Sequence, residues 1–500
     1  MKIRDGVWRA RHWQLSFSLC MDVMTHVEGV VAQLAAYKHG DFQGMNVRFK
    51  ALLMFTALAA PAGLALAQTA APVAKPPVAP PAAAAPQPAV PQPGAQVPAT
   101  QAAPDAVPAV PAPPPPPPPV WTMADANQLL LSILNSAKEG LDPRDYDSAG
   151  LITAMRTNDP LLISAAATER FNQLSSDFAL GHVRGKDRQN WHIPDPDLDA
   201  SRQDALLRSA LAQHRVGDAL TGLLPSHPQY AALKKALEIA PKTEPATIDR
   251  IRLNMDRWRW LPRDLGERYI IVNVPAYTAA LVEDGVTVSR HRAVSGAVKT
   301  PTPQLMAVAE GVSLNPWWEV PQSIWKEVAG KPGYVALKDP KTGKLIRWRQ
   351  PPGPRNALGQ VKFVMYNPHN IYLHDTTAKT LFDTKARAYS HGCIRTEHIM
   401  LLAERLLSEG APVPGTPEAE GKTIWTPEKV RATLASRKTV QANFPKPIPV
   451  YIVYMSSAAL ADGSIKNYTD IYKRDGKVIA ALNDVPPVPA AKPADKIAAR

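Results

Sequence analysis

Cysteine is nearly missing from this sequence: there are two in 500 residues, Cys20 and Cys393. That excludes a small fold held by several disulfides, and each thiol has to be explained by itself. Long apolar runs are almost as scarce. The clearest one, residues 51–67, is interrupted by Thr56, Pro61 and Gly63 and falls short of the ~20 residues a comfortable membrane span needs. Acidic residues are outnumbered, 44 against 57 Lys and Arg, for a formal charge of +13. Yet no basic cluster is dense enough for a nucleic-acid tract, and no nucleic-acid motif is present. Residues 1–67 hold 7 basic and 4 acidic groups, or +3, which leaves +10 for the remainder. A positive excess of that size suits an anionic partner such as a carboxylate-rich polymer or anionic lipid, and equally suits plain solubility.

What the chain does have begins with an export pattern. Met45 to Lys50 is a short basic region, followed by the apolar run and closed by Ala65-Leu66-Ala67. A basic start, an apolar centre and small residues before Gln68 make a signal peptide over 45–67, cleaved after Ala67 or retained as an anchor. Residues 1–44 then read as a non-native extension ahead of a true start at Met45. Loss of residues 1–67 removes Cys20 and leaves Cys393 as the sole thiol of a periplasmic protein, unable to form an internal disulfide. Residues 68–120 are Ala, Pro, Val and Gln, ending in the prolines 113–119. Such a stretch builds no core and behaves as a stiff spacer that could tether the protein to wall or membrane.

Periodicity divides the rest. Helical spacing governs residues 121–248, with helices expected from Trp121, over Leu161–Leu180, Ala205–Leu220 and Tyr230–Ile239, and another at Arg250–Trp260. From there a period of two takes over, with strands at Tyr269–Val274, Val286–Val294, Ala307–Leu314, Val361–Met365, Ile371–His374 and Val450–Tyr454. The expected fold class is α+β: an all-α domain (121–248), a mostly-β domain (249–480) and a flexible tail (481–500). Residues 317–352 carry Trp317, Trp318, Trp325 and Trp348 with poor periodicity and read as core aromatics or as a lid and substrate wall.

The chemistry concentrates in Tyr389-Ser390-His391-Gly392-Cys393-Ile394-Arg395, with Ile371-Tyr372-Leu373-His374-Asp375 upstream. A cysteine nucleophile needs a base and donors for an oxyanion. His391 and His374 are both candidates for the base. The amides of Gly392 and Cys393 could receive the oxyanion, and a helix capped by Thr396 would favour the thiolate. A zinc site is the competitor, but the spacing of His374, His391 and Cys393 lacks the usual ligand pairs, so no metal is expected. A buried, inert cysteine is the plain alternative.

The run S-H-G-C-I-R after I-Y-L-H-D resembles the L,D-transpeptidases, cysteine enzymes of peptidoglycan. The likeness extends to Ile251–Trp260, to Asn315–Pro321 and, more loosely, to the scaffold domain of the large members. It implies Cys393 as nucleophile and His374 as proton donor and acceptor. His391 and Gly392 would shape the turn and the oxyanion site, and Arg395, Tyr372 and Trp318 would contact substrate. It implies no cofactor, and stem peptides as donor and acceptor, joined third residue to third residue between meso-diaminopimelates with release of D-alanine. Carbapenems would acylate the cysteine. Trimming of the same stems by hydrolysis, attachment of a lipoprotein, and a non-catalytic wall-binding scaffold are the alternatives. The peptidoglycan-binding repeat of many large relatives has no room between residues 240 and 248.

Overall fold

The computed structural model describes residues 117–484, apart from 195, 414, 422 and 461. The extension, the signal peptide, nearly all of the Pro-rich spacer and the tail from 485 lie outside the described residues. Among the described residues, no helix is long and apolar enough to cross a membrane.

The described residues begin with a layer of helices: α1 (Met123–Asn135), α2 (Ser148–Thr157) and α3 (Pro160–Leu180). Asp159 caps α3 by accepting from the amides of Leu161 and Leu162, and Pro160 occupies the first turn, where its missing N–H is harmless. A two-residue strand, β1 (Trp191–His192), is followed by α4 (Ala200–Ala212), α5 (Val216–Thr221), α6 (Pro228–Ile239) and α7 (Pro245–Arg259). The single helix expected over Ala205–Leu220 is two, because His214 takes a left-handed conformation (φ 53°) and turns the chain between α4 and α5. Leu129, Ile133, Phe171, Leu174 and Leu220 close the core of this layer.

α7 belongs to both halves of the molecule. Its Leu253 and the adjoining Trp260 lie in the helical core, while Ile251, Met255 and Trp258 face a second core with Tyr269, Tyr451 and Val453. Buried Asp256 accepts from the amides of His182 and Val183 and from the Trp260 indole, so its charge is fully hydrogen-bonded. His227 stacks on Trp258 with ring centroids 4.1 Å apart, and its Nε2 is 3.1 Å from the Tyr269 hydroxyl.

The β-rich part opens with the meander β2 (Arg268–Asn273), β3 (Thr278–Glu283) and β4 (Val286–Gly296), after which β5 (Gln304–Leu314) crosses to the other end of the sheet order. The stretch expected to be irregular is instead a small folded unit: β6 (Trp318–Glu319), α8 (Trp325–Val328), β7 (Val335–Lys338) and β8 (Leu345–Gln350). These strands pair in the order β6-β8-β7. Val320, Ile324 and Val328 form its core, with Trp318, Trp325 and Trp348 packed against them. Then come β9 (Val361–Met365), β10 (Leu373–His374), β11 (Ala388–Ser390), β12 (Ile394–Thr396), α9 (Ile399–Ser408), α10 (Pro427–Ala435) and β13 (Val440–Val453). The hairpin β14 (Ser457–Ala459) with β15 (Ile465–Asn467) and a final helix α11 (Asp475–Leu482) complete the described chain.

The main sheet runs β5-β13-β2-β3-β4-β12-β10-β9, and β9 pairs again with β5, so eight strands close into a ring. Ile270, Leu281, Val312, Phe363, Leu373 and Ile394 lie in its core, joined by the apolar face of α9. The helical layer is stitched on twice. β1 pairs in parallel with the start of β5, Trp191 opposite Gln304, and α11 returns from the far end of the chain to bury Val478 and Leu482 among the helices. The architecture is α+β, a helical layer followed by a mostly-β body.

Candidate active site

β10 and β12 pair in parallel, with Leu373 opposite Ile394 and His374 opposite Arg395. Leu373 and Ile394 are fully buried in the ring's core. One residue on, the alternation of a strand sends His374 and Arg395 to the other face. β9 flanks β10 on its other side with Lys362 opposite His374. Lys362, His374 and Arg395 therefore form one row across three strands. Cys393 and Tyr372 sit at the near end of the same two strands, tied by a hydrogen bond from the Ile394 amide to the Tyr372 carbonyl (3.0 Å).

The Cys393 thiol is partly exposed, its Sγ lies 3.5 Å from the Asn370 carbonyl oxygen, and the hydroxyl and backbone of Tyr372 act on it to lower its pKa. Burial raises the pKa of the Tyr372 hydroxyl well above the usual value, and Trp318 of β6 acts on it in the opposite sense, so the small folded unit bears on the residue beside the thiol. Burial pushes the thiol's pKa up, and Tyr372, Lys362 and Arg395 pull against it without prevailing. The resting form at neutral pH is the thiol.

His374 is buried, and its Nδ1 lies 2.5 Å from the Asp375 carbonyl oxygen. A carbonyl only accepts, so Nδ1 carries the proton and Nε2 is left as the basic nitrogen. Burial first, and then the charge of Arg395, lower the imidazole to about 3. His374 stands on β10, the strand paired with the one that Cys393 leads into; a thiol served by a neutral imidazole gives up its proton during attack, as distinct from a preformed thiolate–imidazolium pair.

The turn that presents Cys393 is braced from every side. Ser390 Oγ donates to the Cys393 carbonyl (2.5 Å) and accepts from the Gly392 amide (3.1 Å). The Gly392 N–H is thus engaged within the turn, so of the two amides expected to face an oxyanion only that of Cys393 is open. Gly392 takes φ 115°, a conformation that side chains rarely adopt. The expected help from a helix at Thr396 is absent. Thr396 is buried in β12, and α9 begins three residues later, behind His398 in the left-handed region. His391 points outward, its Nε2 3.5 Å from the Glu327 carboxylate of α8.

Residues not singled out from the sequence complete the brace. Thr300 donates to the Ser390 carbonyl (2.9 Å), and Thr302 donates to that of Gly392 (2.8 Å) while accepting from the Gly296 amide (2.9 Å). The Tyr472 hydroxyl donates to the Gly296 carbonyl (2.6 Å). A Cβ on Gly296 would lie 2.2 Å from the Thr300 oxygen, so the loop packs directly on bare backbone. Thr302→Val keeps the shape and removes both hydrogen bonds, leaving a buried carbonyl and a buried amide unpaired. The expected cost is about 2–4 kcal/mol of stability, read as a lower melting temperature together with slower acylation of Cys393. An unchanged melt would show that the brace carries no load.

A cleft of about 250 Å³ opens beside this turn, lined by Thr300, His391 and Gly392 together with Asn190 and His369. The His369 ring lies against that of His192 with centroids 4.1 Å apart, so the helical layer reaches the rim of the site through β1. Among the described residues, no group of three or more His, Cys, Asp or Glu is placed to hold a metal ion.

Residues 267–419 match the family model described as an L,D-transpeptidase catalytic domain (YkuD), and residues 117–237 match one described as a scaffold domain. A Haemophilus influenzae protein provisionally named an L,D-transpeptidase is 28% identical over 306 residues, 55% of this chain and 58% of its own length. The chain thus spans a little over half of that relative. Among solved structures, an L,D-transpeptidase from Mycobacterium smegmatis is 14% identical, covering 37% of this chain and 58% of its own, at a TM-score of 0.19. One from Enterococcus faecium is 14% identical, covering 39% and 52%, also at 0.19. The likeness lies in the two family models and the curated relative, and the solved structures add nothing to it.

Proposed function

This chain carries an L,D-transpeptidase catalytic domain behind a scaffold domain, and from that premise we propose that it joins peptidoglycan stem peptides through an acyl-enzyme on Cys393. The observation that carries the reading is the Cys393 thiol held under Tyr372 on the same two strands as the neutral, buried His374.

In the first half-reaction, Cys393 Sγ attacks the carbonyl carbon between the third residue of the donor stem, meso-diaminopimelate, and its terminal D-alanine. The thiol proton passes to His374 Nε2 as the S–C bond forms. The oxyanion is received by the Cys393 amide, which has no protein acceptor among the described residues. When the C–N bond breaks, His374 returns its proton to the departing D-alanine amine. In the second half-reaction, the side-chain amine of another stem's diaminopimelate attacks the thioester and gives its proton to His374 Nε2. The thiol is regenerated with that proton as the new amide forms, linking third residue to third residue.

Trp318 and Tyr372 form the wall nearest the thiol, and Arg395 stands within the same row as the base. The positive excess of the chain beyond residue 67 suits a polymer rich in carboxylates. Export through residues 45–67 would place the enzyme in the periplasm, where that polymer lies.

The test is incubation of the exported form with purified tetrapeptide muropeptides, with products resolved by mass spectrometry. Dimers joined through two diaminopimelates and free D-alanine are expected. Tripeptides without dimers would make the enzyme a hydrolase of the same stems, and no acyl product at all would sink the reading.

A further inference from the structure

We propose that Lys362 and Arg395 form a carboxylate-binding pocket beside Cys393 that reads the free C-terminal carboxylate of the donor, making Lys362 a specificity residue for donors that end one residue past the scissile bond. This rests on the acyl-transfer reading above and assigns the charge that its site would take.

The row across β9, β10 and β12 places a cation on each side of His374. Lys362 Nζ lies 4.2 Å from the centre of the Tyr372 ring and is close enough to Cys393 for the two to act on each other electrostatically. Arg395 Nε is buried without a hydrogen-bond partner. Neither cation is paired with a carboxylate among the described residues. Glu319 acts on Lys362 at a distance, but its ion pair is with Arg347 (3.6 Å). Asp375, next to His374, is occupied by Lys379 and by the Gln360 amide.

Two partly buried cations without a counter-ion are costly, and such a pair is stable mainly where an anion joins it. One anion available to them is the Cys393 thiolate. Burial nevertheless keeps the thiol protonated at rest, so the cations do not serve chiefly to ionise it. Once acylated, the sulfur is a neutral thioester and offers them nothing. In a donor ending in a single residue after the scissile bond, the terminal carboxylate carbon lies about 2.5 Å from the scissile nitrogen. That is close enough to the reacting carbonyl for the same two cations to hold it during attack. A donor with a further residue, or with its terminus capped as an amide, puts a neutral group there and leaves both cations desolvated and unpaired.

The experiment measures kcat/KM of the full chain for two synthetic donors, a tetrapeptide with a free terminal carboxylate and the same peptide as its terminal amide. The wild type is expected to prefer the acid by about 30-fold or more, the size of a lost charge-assisted hydrogen bond. In Lys362→Gln the acid-to-amide ratio should collapse to within a few-fold of one, and Lys362→Arg should restore most of it. A lysine that merely supported Tyr372 would lower both values together and leave the ratio intact, which would overturn the proposal. So would a wild type that uses acid and amide alike. Failure of the wild type to acylate with either donor removes the functional reading itself, and this inference with it, a result distinct from equal use of both.

Discussion

Cys393→Ala is expected to leave no detectable turnover of muropeptides, a fall on the order of 10⁶-fold where a covalent nucleophile is removed. Sγ lies 3.5 Å from the Asn370 carbonyl, and Tyr372, Lys362 and Arg395 all act on it. No other cysteine is present among the described residues, so no second thiol can substitute. Cys393→Ser should also be inactive, because a hydroxyl is harder to deprotonate than a thiol and the neutral His374 supplies only modest basicity. A carbapenem should add its mass to the wild type and to neither variant. The thiol itself carries a further signature. Its pKa lies above the ordinary cysteine value, so alkylation by iodoacetamide should keep rising through alkaline pH instead of levelling near neutrality. Turnover by Cys393→Ala, or an early plateau in alkylation, would each contradict this account of the site.

His374→Gln is expected to lower acylation by roughly 10² to 10⁴-fold, the usual worth of a positioned base. Glutamine can still donate to the Asp375 carbonyl, so the fold near β10 should hold while the basic nitrogen is lost. The sign of the accompanying pH effect follows from the depressed pKa of about 3, against a usual 6.5. Below pH 6.5 the unfolded chain takes up a proton that the folded imidazole refuses. The stability tied to His374 is therefore complete above pH 6.5 and is lost as pH falls toward 3. Melting temperatures taken between pH 7 and pH 4 should drop less steeply for His374→Gln than for the wild type. His227, lowered to about 4 by burial, acts in the same direction and persists in both proteins. A glutamine variant that kept near-normal acylation would move the base elsewhere, and His391, on the cleft beside the turn, would be the next residue to test.

Much of this architecture was legible from residue order because it depends on local pattern. Val361–Met365 is a strand in both readings, and Glu283-Asp284-Gly285 makes the turn between β3 and β4, with Gly285 at φ 76°. Pattern failed where conformation is set by contacts distant in sequence. α2 starts behind Asp147, a left-handed residue whose carbonyl is held by Arg170 of α3, and α10 lies where no helix was expected. The tryptophans of residues 317–352 gave little period because their unit has a core of only a few residues. At the site, Cys393 and His374 stood out by residue type, whereas Lys362 did not. A lysine in a strand looks like an ordinary solvent-facing residue until the register sets it opposite His374. Thr300, Thr302 and Tyr472 were hidden for the same reason: the threonines reach the turn from 90 residues before it, and Tyr472 reaches Gly296, which Thr302 also binds, across 176 residues. Short signals existed for the two threonines, since Thr-Pro-Thr-Pro beside Gly296 marks a rigid loop, but its partner could not be read from the sequence.

The closure of β9 onto β5 has a consequence for how any peptide can be held. Many peptide-binding domains capture an extended ligand by letting it lengthen a sheet at an exposed edge, backbone to backbone. Within the ring every strand has a neighbour on both sides, so those eight strands offer no such edge. The edges that remain among the described strands include that of β11, which ends three residues before Cys393, and those of the β6-β8-β7 unit. A peptide at the thiol can add a backbone ladder only on such a short edge, and along the ring itself it has to be held by side chains and loops.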